Sequence, residues 1–295
     1  MTSDDIPELR LAPAESLGEL EDRHEREQRR VNDAREPALG ESTLAPFRVG
    51  SVPYLNSVPL TRGLENEIQF MPPSELAKEL QADKLDAALV SVTEVLFNDR
   101  YDVLDSVAVA SLGEVYSVFL AHRIPLEEVK TVYCDPASLT SVNLLKVLMA
   151  ERRQEIEFKK LDDYASADQH DAVLLIGNPA IDFRRAGTQH DIWDLGAAWY
   201  EMTKLPFVFA AWALRRGVEN EALRAKLREA RDFGRETLDF IINHRTDYDR
   251  EFRKDYLGWH IHFHLGDDEK RGLAHFIELL RKHQNRPVHD VNYVF

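Results

Sequence analysis

The chain has 295 residues, of which 44% are apolar and 30% charged, with 37 basic against 52 acidic side chains and a net charge of −15. That balance fits a globular protein able to bury a full core, and it excludes collagenous and wholly disordered classes. The acidic surplus without a local basic stripe excludes polyphosphate binding, so no nucleic-acid partner is expected. The one cysteine, Cys134, allows neither an internal bridge nor a metal-ligand pair and suits a reducing cytosol.

Residues 1–45 carry twelve acids and six arginines, with no apolar run long enough for a secretory segment or a membrane span. Glu19 to Arg30 has helical composition but almost no apolar face, so the segment is expected to be a disordered acidic leader. From Phe47 onward short apolar runs alternate with amphipathic patterns, the signal of an α/β protein with a largely parallel sheet. Phe47–Val52 is the first predicted strand, Ser74–Ala82 a helix with Ser74 as N-cap, and Asp86–Val90 the next strand. A second β-α-β unit follows. It comprises a strand Val129–Cys134, a turn Asp135–Ser138, a helix with Leu144, Leu145, Leu148 and Met149 on one face, and a strand Ala172–Ile176. Tyr116–Ala121 and Phe207–Ala213 are extended runs where the chain enters and leaves a second lobe, giving lobe one as 46–116 plus 210–295 and lobe two as 117–209. The last segments are mostly helical: one capped by Asn220, a short one near Asp249 and one capped by Asp267. A ligand is expected between the lobes, at strand carboxyl ends and helix amino ends.

Three places there carry candidate chemistry. After the first strand, Pro53 and Pro59 frame Asn56, a short amide offering both a donor and an acceptor. Ser91 follows the second strand in the equivalent position, where it also reads as the cap of a helix from Val92 to Phe97. Ser138, Thr140 and Ser141 open an amphipathic helix, where free N–H groups and the helix dipole favour a carboxylate or phosphate. No glycine-rich phosphate loop or dinucleotide fingerprint occurs, so no nucleotide cofactor is expected. His260, His262 and His264 alternate with Ile261, Phe263 and Leu265, which reads as a strand with its histidines facing outward and no metal bound.

Arg48-Val49-Gly50 with Tyr54-Leu55-Asn56 and Pro59-Leu60 resembles the opening motif of the menaquinone-biosynthesis family of the futalosine route, specifically its chorismate dehydratase branch. Leu89-Val90-Ser91 with Glu94 agrees in order, as do Ser117-Val118 before Arg123-Ile124-Pro125-Leu126, Ser138 to Leu145, and Asp194-Leu195-Gly196 through Leu205-Pro206-Phe207. Tyr256-Leu257, Ile261, Leu265-Gly266 and Gly272-Leu273 complete a likeness over about residues 46 to 283. The resemblance implies a type II periplasmic-binding-protein-like fold used as a cytoplasmic hydro-lyase that acts on the dianion chorismate without metal or organic cofactor. It also implies catalytic roles for Asn56 and Ser91 and substrate contacts from Tyr54, Ser117, Ser138, Thr140, Ser141 and Asn178. The family pattern is not kept at Val92-Thr93, where a second hydroxyl is expected beside the first, nor at Asn178, where an acid commonly follows the glycine. Two alternatives stand beside this reading: the dihydroxynaphthoate-forming branch, and a non-catalytic receptor for a small anionic metabolite. Oligomeric state is not legible from the sequence.

Overall fold

A computed structural model of the chain describes residues 17–40 and 44–295. The chain builds two sheets. Strands β1 (Val49–Ser51), β2 (Gln69–Phe70), β3 (Ala87–Ser91) and β4 (Tyr101–Ser111) come first. Strands β5 (Val118–His122), β6 (Thr131–Cys134), β7 (Glu157–Lys160), β8 (Ala172–Ile176) and β9 (Asp191–Asp194) then form a separate sheet in the order β7-β6-β8-β5-β9. The chain returns through β10 (Phe207–Arg215) and β11 (Tyr293–Val294) to complete the first sheet, in the order β11-β4-β10-β3-β1-β2. Each sheet is the centre of one lobe.

Both expected β-α-β units are present. β1 pairs parallel with β3, Val49 opposite Ala87, and β6 pairs parallel with β8, Tyr133 opposite Val173. The first crossover helix is Pro73–Gln81, whose Leu76 and Leu80 are buried. It starts one residue ahead of Ser74 because Pro73 occupies the first turn, where its fixed φ suits a helix and its missing N–H is no loss. Helix Thr140–Glu151 buries Leu144, Leu145, Leu148 and Met149 as its periodicity requires. The final helix, Asp267–His283, is capped by Gly266 rather than Asp267, and the Glu269 carboxylate accepts the Gly266 N–H at 2.9 Å.

The acidic leader departs from expectation. Residues 1–16 and 41–43 lie outside the described residues, but Leu17–Gly40 is a helix laid on helices Glu221–Glu236 and Leu238–His244. Its anchors are polar, which is why a search for an apolar face missed it. Arg62 stacks over Phe233 and Phe240, with 5.1 and 5.6 Å to the ring centroids, and donates to the buried Asn32 side chain. Arg35 pairs with Glu236 at 2.8 Å, and His24 pairs with Asp239.

The histidine run departs too. Tyr256–His260 is a π-helical turn, and within Ile261–Leu265 only His262 pairs, in a single antiparallel bridge with Ala110. Ile261, Phe263 and Leu265 are buried as the alternation demands. The histidines do not all face outward: His262 is half-buried, its Nδ1 has no hydrogen-bond partner and lies 4.0 Å from the Glu269 carboxylate, and burial beside His264 holds it below the ordinary histidine range. His262, His264 and Glu269 place ligand-type atoms within 4.8 Å of one another. Among the described residues no helix is long and apolar enough to cross a membrane.

Candidate active site

The first chain crossing between the lobes is fastened by one buried carboxylate. Asp194, at the end of β9, accepts the N–H of Val115 at 3.1 Å, of Tyr116 at 2.8 Å and of Ala197 at 2.9 Å. It thereby caps helix Leu195–Thr203 and holds the β4–β5 crossing, where Tyr116 adopts φ +66°. Burial outweighs these three bonds and lifts the Asp194 carboxyl to about 6.

Between the lobes lies a cleft of about 670 Å³, a volume that includes space open to solvent. Six of the eight expected site residues line it: Tyr54, Asn56, Ser91, Ser117, Thr140 and Ser141. The other two, Ser138 and Asn178, do not, although both are near in sequence to residues that do. Ser138 Oγ and Asn178 Oδ1 are buried without a hydrogen-bond partner. The rest of the wall is largely apolar and includes Val52, Leu89, Val109 and Phe209, which sequence reading did not assign to a site because strand-end hydrophobics look like core.

The loop bearing Asn56 is a 3-10 helix, Leu55–Leu60, with Leu55 and Leu60 buried as its anchors. The Ser57 hydroxyl ties it down by bonding the carbonyls of Val52 at 2.6 Å and Tyr54 at 2.8 Å. From behind, helix Glu221–Glu236 approaches so closely at Gly234 that a Cβ there would sit 1.9 Å from the Pro59 carbonyl oxygen. Only glycine permits that contact. On the cleft side, the Tyr54 ring covers Gly177, which opens the helix after β8 with φ +60° and leaves about 3.1 Å between an added Cβ and the ring. Burial, with Asp135 nearby, raises the Tyr54 phenol to about 12, so it remains a neutral donor.

Ser91 does not cap its own helix. Its Oγ instead accepts the Thr140 N–H at 2.9 Å, capping a helix of the opposite lobe, and it also bonds Thr140 Oγ1. Thr140 Oγ1 in turn accepts the Thr93 N–H at 3.2 Å and lies 3.1 Å from Thr93 Oγ1. Thr93, two positions on from Ser91, is buried and does not line the cleft. These contacts join the lobes at the amino end of helix Thr140–Glu151, whose first-turn N–H groups lack intrahelical acceptors. Just before it, Asp135 accepts from Ala137 N–H and from the Tyr164 hydroxyl, both at 2.8 Å, fixing the approach turn.

Among the described residues lining the cleft there is no Asp, Glu, Lys, Arg or His. Polar contact comes from hydroxyls, one amide and helix amino ends. His262, His264 and Glu269, the one described group able to hold a metal ion, contribute nothing to the lining. The arrangement can bind an anion through dipoles and hydrogen bonds and can orient a hydroxyl, but it offers no charged acid or base of its own.

Residues 47–282 match the family described as menaquinone biosynthesis. A relative named chorismate dehydratase, from Thermus thermophilus, is 33% identical over 265 residues, covering 80% of this chain and 96% of that protein. A crystal structure of an Archaeoglobus fulgidus protein shares the fold with a TM-score of 0.63 at 18% identity, over 80% of this chain and 97% of that one. The periplasmic aliphatic sulphonate-binding protein of Escherichia coli does so with a TM-score of 0.54 at 15% identity, over 84% and 93%. The two-sheet architecture is accordingly that of the periplasmic solute-binding proteins. With the family pattern spanning most of the folded chain, this protein belongs to the menaquinone biosynthesis family.

Proposed function

We propose that the protein is a chorismate dehydratase, a cytoplasmic carbon–oxygen lyase that forms 3-[(1-carboxyvinyl)oxy]benzoate and water. The observation that carries this reading is the uncharged cleft, which hydroxyls, one amide and helix amino ends line. A dianion in a chain of net charge −15 needs such neutral donors to compensate its carboxylates, and dipoles can do so without an arginine array.

In this reaction the C3–H bond of the ring breaks and its electron pair forms the C3–C4 double bond. The C4–O bond breaks in turn, and the hydroxide leaves with a proton as water. Aromatisation supplies the driving force, so the enzyme must chiefly hold the reacting bonds in line and shield them. Thr140 and Ser141, at the amino end of their helix, are the groups we assign to a substrate carboxylate. Asn56 is assigned to the departing hydroxyl, which its amide N–H can stabilise as charge develops. No lining side chain is a competent base, and a carboxylate of the substrate itself is the acceptor left for the C3 proton. Tyr54 and Ser117 are assigned to further substrate contacts.

Incubating the purified protein with chorismate tests this. Appearance of an aromatic ultraviolet spectrum, with a product lighter than chorismate by one water, is the expected result. Unchanged chorismate bound to the protein would instead identify a receptor, and unchanged unbound chorismate would overturn the substrate assignment.

A further inference from the structure

The chain between the π-helical turn and the final helix gathers three ligand-type side chains. His262 is held by its backbone, which exchanges two hydrogen bonds with Ala110 of β4, at 2.7 and 3.0 Å. Its ring lies nearly parallel to that of His264, with centroids 5.4 Å apart and 11° between the planes. Glu269, in the first turn of helix Asp267–His283, closes the group: its Oε1 is 3.2 Å from His264 Nε2 and 4.0 Å from His262 Nδ1. The carboxylate is buried, and its other oxygen is fixed by the Gly266 N–H at 2.9 Å. Gly266 also leaves room for the group, since a Cβ there would stand 3.1 Å from Glu269 Oε2 and 3.7 Å from the His264 ring.

Hydrogen bonding does not account for this convergence. His262 Nδ1 is buried without a hydrogen-bond partner, and 4.0 Å is too far for one to the carboxylate. A buried nitrogen left so is costly unless something else satisfies it, and what two imidazoles and a carboxylate have in common is a lone pair for a cation. In tetrahedral zinc sites, nitrogen and oxygen ligands about 2.0–2.1 Å from the ion stand about 3.3 Å from one another. The His264–Glu269 pair has that spacing already, all three ligand atoms lie within 4.8 Å of one another, and His264 is half-exposed and free to swing inward. We propose that His262, His264 and Glu269 form a binding site for a divalent first-row transition ion such as zinc, with water in the fourth position. Two imidazoles with one carboxylate favour zinc, nickel or copper over the hard ions calcium and magnesium. The Gly266 N–H is the outer contact that orients the ligating carboxylate. Bound there, the ion ties the segment bridged to β4 to the start of the final helix. None of the three ligands lines the cleft, so the site is independent of the dehydratase reaction.

Isothermal titration of the full chain with zinc chloride, after stripping with EDTA, tests the site. One equivalent should bind, and free zinc at about a hundredfold over Kd should raise Tm by at least about 3 °C. His264→Ala removes a half-exposed ligand, and Glu269→Gln keeps the oxygen that meets Gly266 while losing the charge; each should weaken zinc binding at least about tenfold. His283→Ala, at an imidazole paired with Glu151 elsewhere, should leave it within about twofold. Failure of zinc to bind with a Kd below about 100 µM overturns the proposal. So does an equivalent of zinc that either ligand variant retains at full strength, because the ion then sits on other residues. Should Glu269→Gln melt below the assay temperature, His264→Ala, whose side chain is half in solvent, carries the same comparison.

Discussion

Replacing Gly234 by alanine should damage the cleft from outside it. The added methyl would lie 1.9 Å from the Pro59 carbonyl oxygen and 2.6 and 2.7 Å from its carbonyl carbon and Cα, all backbone atoms that cannot rotate away. Ordinary contact requires the 3-10 helix or helix Glu221–Glu236 to retreat by about 1.5 Å. In an open helix the change would stabilise by about 1 kcal/mol. Here overpacking costs about 1–3 kcal/mol or more, and the sum is a net loss of up to about 2 kcal/mol. For a chain of this size that lowers Tm by at most about 4–8 °C. The displaced element carries Asn56, and a shift of about 1 Å in a reacting group costs on the order of 100-fold in rate. Thermal unfolding by circular dichroism and chorismate turnover below Tm measure the two effects. A variant with wild-type kcat would refute the argument that Gly234 holds the Asn56 loop in place, whatever its Tm.

Asn56→Asp sets an acceptor-only anion beside a dianion and removes the amide donor, so kcat/KM should fall at least ~100-fold, about 2.7 kcal/mol. Asn56→Ala should retain more substrate binding than the Asp variant, and near-normal turnover in either would remove Asn56 from the reaction. Thr140→Ala cuts the interlobe hydroxyl contacts to Ser91 and Thr93 and should raise KM about tenfold while costing about 1 kcal/mol of stability. An unchanged KM with a lowered Tm would leave Thr140 only a structural task. Asp194, raised in the native state to about 6 from an ordinary 3.8, holds its proton more tightly folded than unfolded. The stability it contributes is therefore full below about pH 4 and lost as pH rises through about 6. Urea midpoints of wild type relative to Asp194→Asn, at about pH 4.5 and pH 7, should show that decline, and a relative gain on raising the pH would contradict it.

Much of the fold was legible because apolar residues repeat at the period of the element they build. Ala172–Ile176 is a continuous apolar run with a glycine after it, and it is a strand to the residue. The longest strand escaped notice because Tyr101–Ser111 is interrupted. Asp105 and Ser106 break its apolar run, Ser106 takes φ +69°, and the pairing with β10 shifts register nearby. Cleft-lining residues borne on strand-to-helix turns could be located from the sequence, since a turn's position follows from its flanking elements. Their partners could not. Ser91 reads as a local cap, yet it serves a helix 49 positions away in the other lobe. Tyr256 reads as one more core aromatic, and its hydroxyl meets a serine 139 positions earlier. Such pairings are set by how the lobes meet, which no local period encodes. The helix Leu17–Gly40 was missed for a related reason: it docks through Asn32, Arg35 and His24 rather than through an apolar stripe.

The absence of charge on the cleft wall also shapes the traffic through it. Electrostatic steering accelerates association when a pocket's field opposes the ligand's sign, and here an acidic chain meets an acidic ligand with no cationic side chain among the described residues that line the cleft. Collisions with a dianion are therefore discouraged at low ionic strength and recover as salt screens the surface, the reverse of the usual dependence for enzymes of anionic substrates. The aromatic product keeps both carboxylates, so the repulsion that slows arrival also speeds departure. A wall built of neutral dipoles grips its ligand only at contact distance, and it lets go once the lobes part.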